Sequence, residues 1–211
     1  MTFVLGLTGS IGMGKSATAQ LFRERGVPVH DADATVHALY HGKAALLIEE
    51  AFPGTVVDGV VDRTRLSPYV LGNPAAMKRL EQIIHPLVRE AERVFLDRAV
   101  QSATPLVVLD IPLLFETMGE RRCDAILVVS TDVETQKARV LARPGMTDER
   151  FSQILARQVP DQQKRQRAHL VIDTSHGLAH AGAQVDAAIR AFIGRTGRAA
   201  QSAAGKSQYD A

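Results

Sequence analysis

The sequence predicts an α/β protein: a three-layer, doubly wound parallel sheet of five strands, with a helical acceptor-binding insertion and a lid. Three observations lead there. Short apolar runs of strand length alternate with longer segments of helical period, the pattern of β-α units joined by right-handed crossovers. Two of those runs, residues 105–110 and 124–129, are apolar almost throughout, as expected of strands covered on both faces. A third, Phe3–Thr8, leads directly into Gly9-Ser10-Ile11-Gly12-Met13-Gly14-Lys15-Ser16, a loop of the form Gly, four spacers, Gly-Lys and Ser.

The loop is the best-defined element. Glycines at 9, 12 and 14 permit positive φ, so that successive N–H groups can turn inward and form a nest for an anion. The amphipathic segment that follows, closed by Gly26, brings the positive end of a helix dipole to the same point. Gly9, Gly12, Met13, Gly14, Lys15, Ser16 and Ala17 are therefore the expected nucleotide-binding residues. Lys15 would reach the terminal phosphates of ATP, and the Ser16 hydroxyl would ligate Mg2+.

Residues 27–31 read as a second strand that ends in Asp31-Ala32-Asp33. Residues 34–51 read as helix with a break near Gly42, before a turn at Pro53-Gly54. Around Asp58-Gly59 the chain suits either a small hairpin or a loop. Asp62 to Pro68 leads through Asn73-Pro74 into a helical pattern over 75–100, interrupted by His85-Pro86, with a kink or junction expected at Pro86. After the strand at 105–110 comes that at 124–129, then a helix at 131–141 and a breaker cluster, Arg143-Pro144-Gly145-Met146. Thr147 is the N-cap candidate of a helix running toward Arg167. A last strand at 169–173 and a closing helix at 177–193 complete the pattern. The segment between the second and third sheet strands is too long for a simple crossover. The expected organisation is thus a nucleotide core of 1–33 and 101–195, a lid at about 143–167, a helical acceptor subdomain at 34–100, and a disordered tail at 196–211.

Composition narrows the partners. A formal net charge of +2 with no block of like charge suits small anions and falls short of a nucleic-acid footprint. No apolar run is long enough to cross a bilayer. Cys123 is the single cysteine, so no intrachain disulfide can form and a reducing compartment is expected. We expect a cytoplasmic monomer or small homo-oligomer with a small-molecule substrate and neither nucleic-acid nor membrane partners.

Phosphoryl transfer needs phosphate clamps, a metal ion and a well-held acceptor. Asp33 stands after the second strand and before the insertion, where it could orient or deprotonate an acceptor hydroxyl, although an Asp there would also serve as a helix N-cap. Asp31 is its competitor. Asp110 ends the third strand and is the candidate acid for magnesium or substrate. Arg143, at a bendable break, could neutralise charge on the transferred group, with Arg139, Arg150 and Arg157 as alternatives. His85 and Arg89, at the expected helix interruption, could hold an anionic acceptor. The pairs His37/His41 and His176/His180 have helical spacing but no accompanying acid motif, and read as polar helix faces.

Taken in order, Thr8 to Ser16, Asp31-Ala32-Asp33, His85-Pro86-Leu87-Val88-Arg89, and Asp110-Ile111-Pro112-Leu113-Leu114-Phe115-Glu116 resemble dephospho-coenzyme A kinase. The resemblance runs from about residue 4 to 193 and includes Ile154-Leu155-Ala156-Arg157-Gln158. It implies ATP-dependent phosphorylation of the ribose 3'-hydroxyl of dephospho-coenzyme A. It also implies that Asp33 acts on that hydroxyl with Thr8 beside it, and that Arg143 reaches in from the lid. One departure stands out: members of the family often carry an Asn-containing turn after the last strand, and Asp173-Thr174-Ser175-His176-Gly177 has none. The alternatives at this stage are a kinase of another small hydroxylated metabolite and a nucleotide-binding switch.

Overall fold

A computed structural model describes residues 1–200. The chain divides into two compact units, one formed by residues 1–30 together with the chain from 96 onward, the other by 31–95.

The first unit is built on a five-stranded sheet. In chain order its strands are β1 (Phe3–Thr8), β2 (Val29–Asp31), β5 (Leu106–Asp110), β6 (Ala125–Ser130) and β7 (Leu170–Asp173), arranged β2-β5-β1-β6-β7. β1 is parallel to both β5 and β6, and β6 is parallel to β7. Every residue of β1, β5 and β6 is buried, which is why these runs are continuously apolar rather than alternating. One face of the sheet packs Leu5, Leu7, Val108, Leu127, Val129 and Ile172 against helices α1 (Lys15–Glu24) and α9 (Gly177–Phe192). Ala19 and Phe22 of α1 and Ala181, Val185 and Ala188 of α9 complete that core. From β1 the chain crosses to the edge at β2, returns to β5 beside β1 and then passes over β1 to β6 and β7. The connections change direction here, so the crevice beyond the C-terminal end of β1 is the topological switch point, where open α/β sheets take their ligands.

Three more helices follow β6: α6 (Val133–Leu141), α7 (Asp148–Leu155) and α8 (Asp161–Arg167). Thr147 caps α7, its hydroxyl accepting from the Arg150 amide. The single helix expected from Thr147 to Arg167 is in fact two. Pro160 has no N–H and pushes Val159 out of the helical region, and the Val159 amide donates instead to Glu116 Oε1 at 2.8 Å. The disordered tail expected from residue 196 lies mostly outside the described residues. Its first residues are placed, with the amides of Arg198 and Ala199 donating to Asp124 Oδ1 at 2.7 and 3.0 Å.

The second unit contains α2 (Ala32–Tyr40), α3 (Lys43–Ala51), the strands β3 (Val56–Val57) and β4 (Val60–Val61), α4 (Arg63–Val70) and most of α5 (Pro74–Gln101). Its own core joins Tyr40, Ala44, Ala45, Ile48, Phe52, Val61, Leu66, Val70, Leu80 and Ile84. β3 and β4 form a hairpin whose turn, Asp58-Gly59, has positive φ at both residues, settling the choice between hairpin and loop. Glu49 of α3 holds that hairpin by accepting from the Gly54 and Val56 amides at 2.7 and 2.9 Å. Helix α4 was not anticipated; Asp62 caps it by accepting from Thr64 and Arg65. Nor does α5 break at His85-Pro86. Ile84 before the proline and Leu87 and Val88 after it pack on one core, and Gln82, whose carbonyl loses its partner, is exposed and can be solvated.

Candidate active site

The loop between β1 and α1 stands at the switch point of the sheet. Gly12 and Gly14 have φ of 80° and 94°, and a side chain at either would also crowd a neighbour. A Cβ on Gly12 would press into Val140 and sit 3.0 Å from the Gln136 carbonyl oxygen, and one on Gly14 would sit 3.1 Å from Thr174 Oγ1. The backbone is thereby held in the form that an anion nest requires. Gly14 stands at the N-cap of α1, and Lys15 and Ser16 form its first turn.

Side chains from distant parts of the sequence brace this loop. The Gln136 amide donates to the Ile11 carbonyl at 2.7 Å, while the Ile11 amide donates to Gln158 Oε1 at 3.1 Å. The backbone of one residue is thus gripped from α6 on one side and from the segment after α7 on the other. Thr174 Oγ1 donates to the Met13 carbonyl at 2.8 Å and accepts from Arg139 Nη1 at 2.9 Å, and Arg139 Nη2 reaches the Thr174 carbonyl at 2.8 Å. Sequence reasoning missed Gln136 altogether, and named Thr174 only as part of the turn after the last strand. It placed Gln158 in a motif without a role, and kept Arg139 only as an alternative to Arg143. The side-chain ties of Gln136, Gln158 and Thr174 are made only by the fold.

Lys15 Nζ lies 2.5 Å from Asp110 Oδ1. Register explains the meeting: Asp110 at the end of β5 stands beside Leu7 in β1, two residues before the first glycine of the loop. Asp110 is nearly fully buried, so an ammonium beside it is what keeps a carboxylate tolerable there. Thr8 Oγ1 donates to the Pro112 carbonyl at 3.1 Å, fixing the end of β1 to the segment after β5. Glu116, further along that segment, takes the Val159 amide as above and lies 3.0 Å from the ammonium of fully buried Lys164. Among the described residues no group of three or more His, Cys, Asp and Glu is placed to hold a metal. A hydroxyl at Ser16 and a carboxylate at Asp110 are hard oxygen donors of the kind that hold magnesium together with substrate phosphates.

Beside the loop a cavity of about 310 Å³ is lined by Gly12, Gly14, Ala17 and Leu21, by Arg139 and Arg143, and by Leu178 and Ala181 at the start of α9. It combines apolar walls with two cations. Arg143 is exposed, in a turn where Gly145 has φ of 69°.

In the second unit a cavity of about 720 Å³ is lined by Asp33, His37, Tyr40, Arg63 and Ser67 together with Val36, Leu66, Val70 and Leu80. Asp31, not Asp33, is the N-cap of α2, accepting from the Ala34 amide at 2.9 Å. The structural role that could have explained Asp33 is therefore already filled, and its exposed carboxylate lines the cavity. His85 and Arg89 are exposed on α5 and are not among the lining residues. The Arg63 guanidinium lies 5.2 Å from the centre of the Tyr40 ring, and burial pushes the Tyr40 hydroxyl above its ordinary pKa.

Comparison with known proteins adds to this geometry. A family model described as dephospho-CoA kinase matches residues 3–180. A dephospho-CoA kinase of Mesorhizobium japonicum is 59% identical over 194 residues, covering 92% of this chain and 98% of that protein. One from Rhodopseudomonas palustris is 60% identical over 191 residues, covering 89% and 96%. Among solved structures, TT1252 from Thermus thermophilus superposes with a TM-score of 0.77 at 35% identity, covering 90% of this chain and 97% of that one.

Proposed function

We propose, for a chain that belongs to the dephospho-CoA kinase family, a division of labour in which the glycine loop holds the phosphate donor and the cavity beside Asp33 holds the acceptor. The reaction is transfer of the γ-phosphoryl group of ATP to the ribose 3'-hydroxyl of dephospho-CoA, giving CoA and ADP. The observation that carries this reading is the extent of the match, which spans 3–180 and so includes the whole 31–95 unit as well as the loop. A shared phosphate loop alone would leave the acceptor open. Neither a different metabolite kinase nor a nucleotide switch is favoured by relatives this similar.

The loop amides from Gly9 to Ala17 and the N-terminal end of α1 would bind the β- and γ-phosphates. Lys15 would move from Asp110 onto the terminal phosphate oxygens, a change between two anionic partners that costs it no desolvated, unpaired state. Ser16 and Asp110 would hold Mg2+, which supplies charge neutralisation across the phosphates. Arg139 and Arg143 would flank the nucleoside in the apolar cavity next to the loop, with Leu21, Leu178 and Ala181 against the base. Arg143 would also place its guanidinium where charge develops on the transferred group. Asp33 would accept or orient the hydroxyl proton so that the oxygen attacks in line. His85 and Arg89, both exposed, remain our candidates for contacts with the distal part of the acceptor. Thr8 would support the site by fixing the end of β1.

No helix among the described residues is long and apolar enough to cross a membrane, and a cytoplasmic setting suits a chain with a single cysteine and a nucleotide substrate. The test is incubation with ATP, Mg2+ and dephospho-CoA, following ADP, with adenosine, shikimate and no acceptor as controls. ADP release that depends on dephospho-CoA is expected. Acceptor-independent hydrolysis or preference for another acceptor would overturn the reading.

A further inference from the structure

We propose that Arg63 binds the diphosphate of the acceptor and so decides which end of that nucleotide meets Asp33. The inference rests on the reading of the 31–95 cavity as the acceptor site and deepens it to a single recognition contact.

Dephospho-CoA carries its negative charge on the diphosphate at the 5' side of the ribose, away from the 3'-hydroxyl that reacts. A site that takes it must supply a cation for the diphosphate, because a dianion leaving water without a partner is strongly disfavoured. Among the residues that line the cavity, Arg63 is the only Lys or Arg. Its nearest comparable neighbour, Arg65, is already committed to Asp62 at 3.5 Å. No carboxylate pairs with Arg63 among the described residues; its contact is the Tyr40 ring. A guanidinium laid on an aromatic face keeps its N–H edge available and loses rotamer freedom before the ligand arrives, which suits bidentate contact with phosphate oxygens.

The backbone makes this position dependable. Arg63 is the first residue of α4, and Asp62 caps that helix through the Thr64 and Arg65 amides at 2.8 and 3.3 Å. The cap thus fixes where the Arg63 side chain leaves the helix, while Leu66 and Val70, at i+3 and i+7 on the same side of α4, line the cavity with it and anchor the helix in the core of the unit. Asp33 lines the same cavity with the opposite charge. An acceptor with one anionic end and one neutral hydroxyl is therefore sorted by charge: the diphosphate is drawn to Arg63 and repelled from Asp33, which leaves the ribose edge to the carboxylate. The same sorting distinguishes dephospho-CoA from an uncharged nucleoside, which has nothing to offer Arg63.

The experiment is steady-state kinetics of the full chain and its Arg63→Ala and Arg63→Lys variants, varying dephospho-CoA at saturating ATP and then ATP at saturating dephospho-CoA. Losing a charge-assisted, bidentate contact is expected to raise KM for dephospho-CoA roughly 10- to 100-fold. KM for ATP and kcat at saturation should stay within about threefold of wild type, the signature of lost uniform binding. Arg63→Lys should recover part of the loss, as a point charge without the fork. An unchanged KM for dephospho-CoA in Arg63→Ala overturns the assignment. So does a parallel change in kcat and in KM for ATP, which is what a merely structural role would give. If the wild-type chain itself does not turn over dephospho-CoA, the functional reading fails and this inference with it, an outcome visible before any variant is made.

Discussion

At the scale of single residues, the reading makes Lys15, Asp33 and Arg143 separable. Lys15→Ala should lower kcat/KM by roughly 10²–10³-fold, because it removes one fixed charge from the transferring group. Asp33→Asn keeps the size of the side chain and should preserve ATP binding while turnover falls; a titration of ATP binding beside a turnover assay separates the two, and near-normal turnover would remove Asp33 from the chemistry. Arg143→Ala is expected to slow single-turnover phosphoryl transfer by about 10³-fold, the scale of an arginine that stabilises the transferred group. An unchanged rate would shift that role to Arg139. The loop residues were legible because their pattern is local: glycine spacing, Lys15 and Ser16 fall within eight consecutive positions. Arg63 and Tyr40 were not, since they meet Asp33 around one cavity only after α2 and α4 have packed. Asp31 and Asp33 were both legible as acids, but which of them caps α2 depends on φ at position 31, and that lies in the fold.

At the scale of elements, the two prolines with opposite outcomes are instructive. Pro86 was expected to kink the helix or make a junction, and no junction forms, since the residues flanking it share one core; Pro160 was not singled out and separates α7 from α8. Proline states only a local preference, and the packing on either side decides whether the helix survives it. The break at 159–160 leaves Gln158 free of a regular helix and puts its side chain on Ile11. Gln158→Ala should therefore raise KM for ATP about tenfold with little change in KM for dephospho-CoA, since it loosens the Ile11 backbone within the loop that shapes the anion nest. Equal effects on both substrates would refute that role. In the other unit, the Gly54 amide first, and then that of Val56, hold the Glu49 carboxyl below its ordinary value of 4.5. Because the folded value lies below the unfolded one, Glu49 contributes stability above the ordinary value, and that contribution disappears as pH falls through the folded value. Glu49→Gln should thus lower Tm at neutral pH, and the gap from wild type should close as pH falls below the ordinary value and through the folded one, as thermal melts across that range would show. A gap that widened in acid would contradict the sign.

At the scale of the whole molecule, the five-strand sheet was legible because burial on both faces writes itself into the sequence as unbroken apolar runs. The order of those strands was not, because apolar runs carry no record of their neighbours. A ligand that binds the folded loop and not the unfolded chain must raise the melting temperature. At 100-fold excess over its dissociation constant, ATP with Mg2+ should add about 2.7 kcal/mol. For domains of this size that corresponds to roughly 5–11 °C, and calorimetry that finds no shift would sink the nucleotide reading. One carboxylate also joins the two extremes of the described chain. Asp124 accepts the Val4 amide through Oδ2 and the Arg198 and Ala199 amides through Oδ1, and Gly197 lies against Thr2 and Phe3 too closely for a side chain. Start and finish are therefore neighbours, and the polypeptide can be rewired. Deleting 201–211, splicing Ala200 to Met1 through a few glycines, and reopening the ring at the exposed turn between Gly72 and Asn73 should give a permuted enzyme that still folds and still consumes ATP.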